Sequence, residues 1–298
     1  MIAEQKKMHS PDMCRFTARF HYKGVLIFDS AHRVGAERSL AVDAPDTPIL
    51  RTVDGRPYLP GSSIKGAWRA YSESIMRTIQ TQQGHEFFAN DPLEQEDVES
   101  FGLTDKKISK IKSEMRQAGK TEGDIDERLR DESTWVGRVF GNSALASKLL
   151  IKDAIIDPAS WLRSEIRDGV GIDRDSGRAG QGLKYQFEVV PAGAHFPFEF
   201  IVENPSDAEL GLVMLGVRAF ERGDILLGGA KSRGLGWCRL DSNGYEKCRY
   251  VADDNLLDYL LGEDVQTGVV TVEMVQSWLR ALKVAIEVEA EAGGKSDA

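Results

Sequence analysis

Two apolar periods alternate along this chain, and a fold built from one kind of element cannot accommodate both. Phe16, Ala18 and Phe20 alternate with Thr17, Arg19 and His21, which is the period of a half-buried strand. Ile64, Trp68, Tyr71 and Ile75 then recur at helical spacing. "KLLIKDAII" (148–156) returns to strand character, and residues 169–202 read as a long β-hairpin. Leu210, Val213, Met214, Val217 and Phe220 mark one face of a second helix. "LLGGAKSRGLGWCRLD" is a glycine-rich loop running into a strand.

The order strand, loop, helix, strand, hairpin, helix, strand predicts an α+β fold. A ferredoxin-like or RRM-like sheet with large insertions satisfies it. The core is expected over 15–250, with a charged, poorly apolar helical insertion at 81–134 and a hairpin at 169–190. Residues 251–298 read as a peripheral acidic helical region with a disordered tail.

Charge follows the same division. The chain carries −9, but residues 85–135 hold a net −6 and residues 251–298 a net −7, which leaves +4 on the rest. A mildly basic core with two acidic appendages does not exclude a polyanionic partner. Cys14, Cys238 and Cys248 form no CxxC pair and no metal-ligand spacing, so a reducing cytoplasm is the expected compartment. The first residues, "MIAEQKKMHSPDM", lack the apolar stretch of a signal peptide, and no long apolar run suggests a membrane span.

Four stretches carry candidate chemistry. In "PGSSIKGAWR", Pro60 and Gly61 set a turn, Ser62 or Ser63 can cap the following helix, and Lys65 and Arg69 share a face. A helix start of this kind suits a phosphate, and equally suits a capped surface helix with two solvated charges. In "GGAKSRGLG" (228–236), glycines let the backbone approach a ligand while Lys231, Ser232 and Arg233 supply charge and a hydroxyl. The loop matches neither the P-loop nor the dinucleotide fingerprint, and alone it also fits a tight hairpin connection. The long loop at 32–48 holds His32, Asp43 and Asp46, where a carboxylate can position a metal or take a proton. Asp beside Pro is more commonly turn chemistry. The hairpin tip offers Asp173, Arg174, Asp175 and Arg178, either as a wedge into nucleic acid or as a solvated hairpin end. No HExxH or GxSxG motif is present.

The order of these elements is more specific than any one of them. An early "PGSSIKGAWR" turn, a central "RVFG", an "IDRDSGRA…FEVVPAG" hairpin and a late "GGAKSRGLG" loop resemble the RAMP superfamily of CRISPR-associated proteins over about residues 15–240. Within it the chain is similar to the repeated backbone subunit of type III effector complexes. The resemblance implies an RRM-like palm, a helical lid and a β-hairpin thumb. It implies partners too: guide RNA, complementary target RNA, further copies of the chain and other effector subunits, with no membrane.

Ser62, Ser63, Lys65 and Arg69 match the motif that faces the guide backbone. Gly228, Gly229, Lys231, Ser232, Arg233, Gly234 and Gly236 match the superfamily's glycine-rich loop. Asp46, before Thr47-Pro48 and upstream of PGSS, stands where the target-cleaving subunit carries its loop aspartate, with Asp43 as the near alternative and His32 matching the family's histidine. The implied chemistry is metal-dependent cleavage of target RNA through its own 2′-hydroxyl, with Asp46 holding Mg²⁺ or another divalent ion. Relatives with cysteines before "RxFG" bind zinc there; this chain reads "STWVGRVFG", so no zinc is expected. A non-catalytic structural or capping subunit and a stand-alone nuclease that processes guide precursors are the competing readings.

Overall fold

The computed structural model describes residues 16–36, 45–83, 103, 105–175, 177–241, 244–245, 247–261 and 268–293. Its elements run β1 (Ala18–Phe28), β2 (Tyr58–Leu59), α1 (Gly61–Gln83), α2 (Asp105–Gln117), α3 (Glu122–Asp131), α4 (Trp135–Phe140), β3 (Leu149–Ile151) and β4 (Ala154–Ile155). They continue with β5 (Glu165–Ile172), β6 (Ala179–Val189), β7 (His195–Glu203), α5 (Asp207–Arg222), β8 (Cys238–Asp241), β9 (Arg249–Ala252), α6 (Leu256–Leu261) and α7 (Val272–Gly293).

β1 is the middle of the main sheet, whose order is β3-β7-β1-β8, all antiparallel. β9 shares the β8 edge, pairing with Ala18–His21 while β8 pairs with Val25–Phe28. With the β5–β6 hairpin and the short β2–β4 pair set aside, the chain reads strand, helix, two strands, helix, strand, with the last strand beside the first. That is the expected ferredoxin-like arrangement.

β1 buries Phe20, Tyr22, Leu26 and Phe28 against α1 and α5. Aromatic rings fill the gap: Tyr22 stacks on Phe200 at 4.8 Å, and Trp68 of α1 meets Phe220 of α5 edge-on at 5.6 Å. Such pairs contribute about 0.5–1.5 kcal/mol beyond their buried area. α5 starts at a Ser206–Glu209 capping box and stops at Gly223 in the left-handed region. Its five spaced apolar residues are all buried, as their period predicts.

Three expectations change. The C-terminal helix is not peripheral: Val275, Trp278, Leu282 and Ile286 of α7 join the main core, and Trp278 packs edge-on to Phe20 at 5.4 Å. β9 also crosses the expected boundary at 250. The hairpin begins at Glu165, four residues before the expected start at 169. Within the charged insertion, α2 and α3 bury a small cluster of their own, Leu103, Ile108, Ile111, Ile125 and Leu129. The "STWVGRVFG" stretch is α4, with Thr134 accepting from the Gly137 N–H at 3.1 Å. Residues 294–298 lie outside the described residues.

Candidate nucleic-acid interface

β6 is the seam on which the predicted segments meet. Thr47 bridges Phe187: the Thr47 N–H donates to the Gln186 carbonyl at 3.3 Å and the Glu188 N–H donates to the Thr47 carbonyl at 3.1 Å. Next to this bridge, Asp46 Oδ2 accepts from the Gln186 N–H at 2.9 Å. Glu188 locks the same loop, accepting from the Ile49 N–H at 3.0 Å and pairing with Arg51 at 2.6 Å. At the root of the hairpin, His32 and Val190 exchange backbone hydrogen bonds of 3.0 and 2.9 Å. The loop carrying Asp46 is therefore built into the base of the hairpin.

The glycine loop docks on the segment just after β1. The Gly229 N–H donates to the Arg33 carbonyl and the Gly236 N–H to the Ala31 carbonyl, both at 2.9 Å. Gly228 and Gly236 cannot be replaced freely. Each has a positive φ, +88° and +86°, and a Cβ on either would lie 2.3 Å from a backbone oxygen. Between them Lys231, Ser232, Arg233 and Gly234 are exposed on a short 3₁₀ turn. Arg233 Nη1 donates to the Tyr185 hydroxyl at 2.7 Å, and the Arg33 guanidinium lies 5.5 Å above the Phe187 ring. Cations and aromatic rings thus gather at the hairpin base beside Asp46, the side-chain chemistry that grips single-stranded RNA.

His32 has a different role from the one expected. It is buried, its ring stacked 3.6 Å from that of Phe28 and edge-on to Phe196 at 5.2 Å. Burial alone pushes its pKa down to about 3, so it is a neutral core residue near neutral pH. It contributes its backbone to the seam and presents no proton donor to a substrate. Asp43 lies outside the described residues.

The α1 residues stand apart. Ser62 and Ser63 are not caps, because α1 already begins at Gly61. The Gly61 N–H donates to Asp153 Oδ1 at 2.7 Å, and the Pro60 carbonyl accepts from the Ser63 and Ile64 N–H groups. A protein carboxylate thus takes the first donor of the helix, while both serines stay exposed on its first turn. Lys65 is half-buried, and loss of water, with Arg69 one turn on, holds its pKa below the usual lysine range. Arg69 is occupied: its Nε donates to Glu73 at 2.7 Å and its Nη1 to the Gly141 carbonyl at 3.1 Å. Among the described residues no hydrogen bond or ion pair joins this group to the seam. Arg174 and Arg178 are exposed at the far tip, where the Asp173 N–H closes the turn on the Arg178 carbonyl at 2.9 Å.

Arg33, Tyr185 and Phe187 were not singled out from the sequence. The alternation in "YQFEV" puts both rings on one face of β6, but nothing local says which face meets the glycine loop.

No cluster of three His, Cys, Asp or Glu side chains among the described residues forms a metal cage. At the seam Glu188 is engaged by the Ile49 N–H and Arg51, and Asp46 by the Gln186 N–H. One carboxylate at the seam would suit only an Mg²⁺-type ion, which keeps several waters and binds through one or two carboxylates.

The RAMP superfamily model matches residues 41–239, which includes Asp46, α1, the hairpin and the glycine loop. The chain belongs to the RAMP superfamily. This RAMP protein is also 28% identical over 212 residues to the "CRISPR system Cms endoribonuclease Csm3" of Methanocaldococcus jannaschii, spanning 69% of this chain and 71% of that relative. The family match stops before β9, so α6 and α7 lie beyond it. No helix among the described residues is long and apolar enough to cross a membrane.

Proposed function

We propose that this RAMP protein is a guide-RNA-binding backbone subunit of a type III CRISPR effector complex, and that it cuts target RNA complementary to the guide. The observation that carries the reading is the joining of the Asp46 loop, the glycine loop and the hairpin root into one hydrogen-bonded unit. The similarity to a protein named a CRISPR endoribonuclease supports both halves of it.

In this account Lys231 and Arg233 take phosphates of the guide, so binding depends on salt and little on sequence. The hairpin folds over the guide–target duplex and turns one target nucleotide out beside Asp46. The 2′-hydroxyl of that nucleotide attacks the adjacent phosphorus as its proton passes to a solvent water. A P–O2′ bond forms, the P–O5′ bond breaks, and the departing 5′-oxygen gains a proton. The products are a cyclic phosphate and a 5′-hydroxyl. Asp46 orients the attacking group, and its backbone anchor to Gln186 fixes the carboxylate against the hairpin. A divalent cation held by Asp46 would supply charge neutralisation at the scissile phosphate.

The test is a target RNA carrying a single 2′-deoxyribose at one cleavage position. The assembled complex is expected to skip that position and cut the others; a cut at the deoxy position contradicts the mechanism.

The position of α6 and α7 beyond the family match favours a second reading, a non-catalytic or capping subunit with a private partner on its C-terminal region. A stand-alone nuclease working by general acid–base catalysis fits least, because its candidate histidine, His32, is a buried neutral ring.

A further inference from the structure

Trp237 follows the glycine loop directly, and it is unlike the other four tryptophans. Trp68, Trp135 and Trp278 are buried and Trp161 is half-buried, whereas Trp237 is 50% exposed. Exposing an indole costs free energy that a buried one does not, unless something covers it part of the time.

The backbone beneath it is fixed. The Trp237 N–H donates to Ser30 Oγ at 3.0 Å, and its carbonyl accepts from the Asp29 and Ser30 N–H groups at 2.9 and 3.3 Å. Gly236 is tied to Ala31 on one side and β8 begins at Cys238 on the other. The ring therefore stands on a rigid support, and the main chain loses little freedom when it binds something.

Its exposed neighbours in sequence are basic, Lys231 and Arg233 before it and Arg239 after it. Strand alternation buries Cys238 and leaves Arg239 exposed beside Trp237. The carboxylate of Asp29 is already paired with Arg239. On the loop side Lys231 and Arg233 are exposed. A flat ring among basic side chains suits a nucleobase with its flanking phosphates, and suits an apolar protein surface poorly.

We infer that Trp237 is a stacking platform for a base of the guide RNA, with Lys231 and Arg233 on the adjoining phosphates. This rests on the guide-binding reading above.

The test uses the full chain and two fluorescein-labelled single strands, an oligouridylate and the same oligomer with abasic riboses. Trp237→Ala is expected to weaken oligouridylate binding about five- to a hundredfold, Trp237→Phe to stay within about twofold of wild type, and the abasic strand to bind wild type and Trp237→Ala alike. If Trp237→Ala binds oligouridylate like wild type while Lys231→Ala and Arg233→Ala weaken it, the platform is wrong and guide binding stands. If wild type itself does not bind at low salt, the guide-binding reading fails and the platform falls with it. If Trp237→Ala keeps its RNA affinity but changes self-association in sedimentation, the ring contacts protein, which also overturns the inference.

Discussion

His32 titrates as its burial dictates, and that has a consequence for stability. In the unfolded chain it takes up a proton near its ordinary pKa of 6.5; in the folded protein it does so near about 3. Between those values the unfolded state holds more protons, so stability is fully present above about pH 6.5 and declines as pH falls toward 3. His32→Phe keeps a ring against Phe28 and removes the titration. Denaturant melts across this window are expected to show a shallower acid decline in the variant, and an unchanged decline would mean that His32 is not the group responsible. Position after the first strand was legible in the sequence; role was not. That Phe28 and Phe196 close over the ring depends on a strand more than 160 residues away in sequence. Asp46 was singled out by its place before Thr47-Pro48 and upstream of PGSS, through the family resemblance; its residue chemistry alone pointed more to a turn.

At the scale of the element, the glycine loop is held by two close approaches rather than by glycine content. Gly228→Ala and Gly236→Ala each force a Cβ onto a backbone oxygen at a positive φ. Gly229→Ala meets nothing within 4 Å. The first two are expected to lose RNA binding and more than about 1 kcal/mol of stability, while Gly229→Ala behaves like wild type. Equal behaviour of all three in thermal melts and RNA titrations would show that the loop's backbone does not set the site.

Periodicity made the inner face of α5 legible, with Leu210, Val213, Met214, Val217 and Phe220 all buried, but not the burial of Leu212 and Ala219 off that stripe. The start of α1 was misread because its acceptor, Asp153, arrives from a strand connection 92 residues downstream. Local capping rules cannot see such a partner. Arg69 shows the same limit: its Nη1 is taken by the Gly141 carbonyl, 72 residues away in sequence.

Across the whole molecule, a charge total hid a one-sided helix. The net −7 over 251–298 suggested an appendage, yet Val275, Trp278, Leu282 and Ile286 form a buried stripe while Glu273 and Glu287 stay exposed. Counting charge in a window is blind to which face carries it. Trp278→Ala is expected to cost about 3–5 kcal/mol in chemical denaturation, as for a large core residue. A change under about 1 kcal/mol would return α7 to the periphery.

The central claim is that Asp46 serves chemistry and not merely the seam. Asp46→Asn separates the two, since the amide oxygen still accepts from the Gln186 N–H while the charge is gone. The measurement is cleavage of labelled complementary RNA with Mg²⁺ by complexes assembled from wild type or Asp46→Asn. Intact guide binding is expected, with regularly spaced cuts reduced at least about a hundredfold. Cuts that persist at the wild-type rate would move the chemistry to Asp43 or to another subunit, and leave this chain as the scaffold.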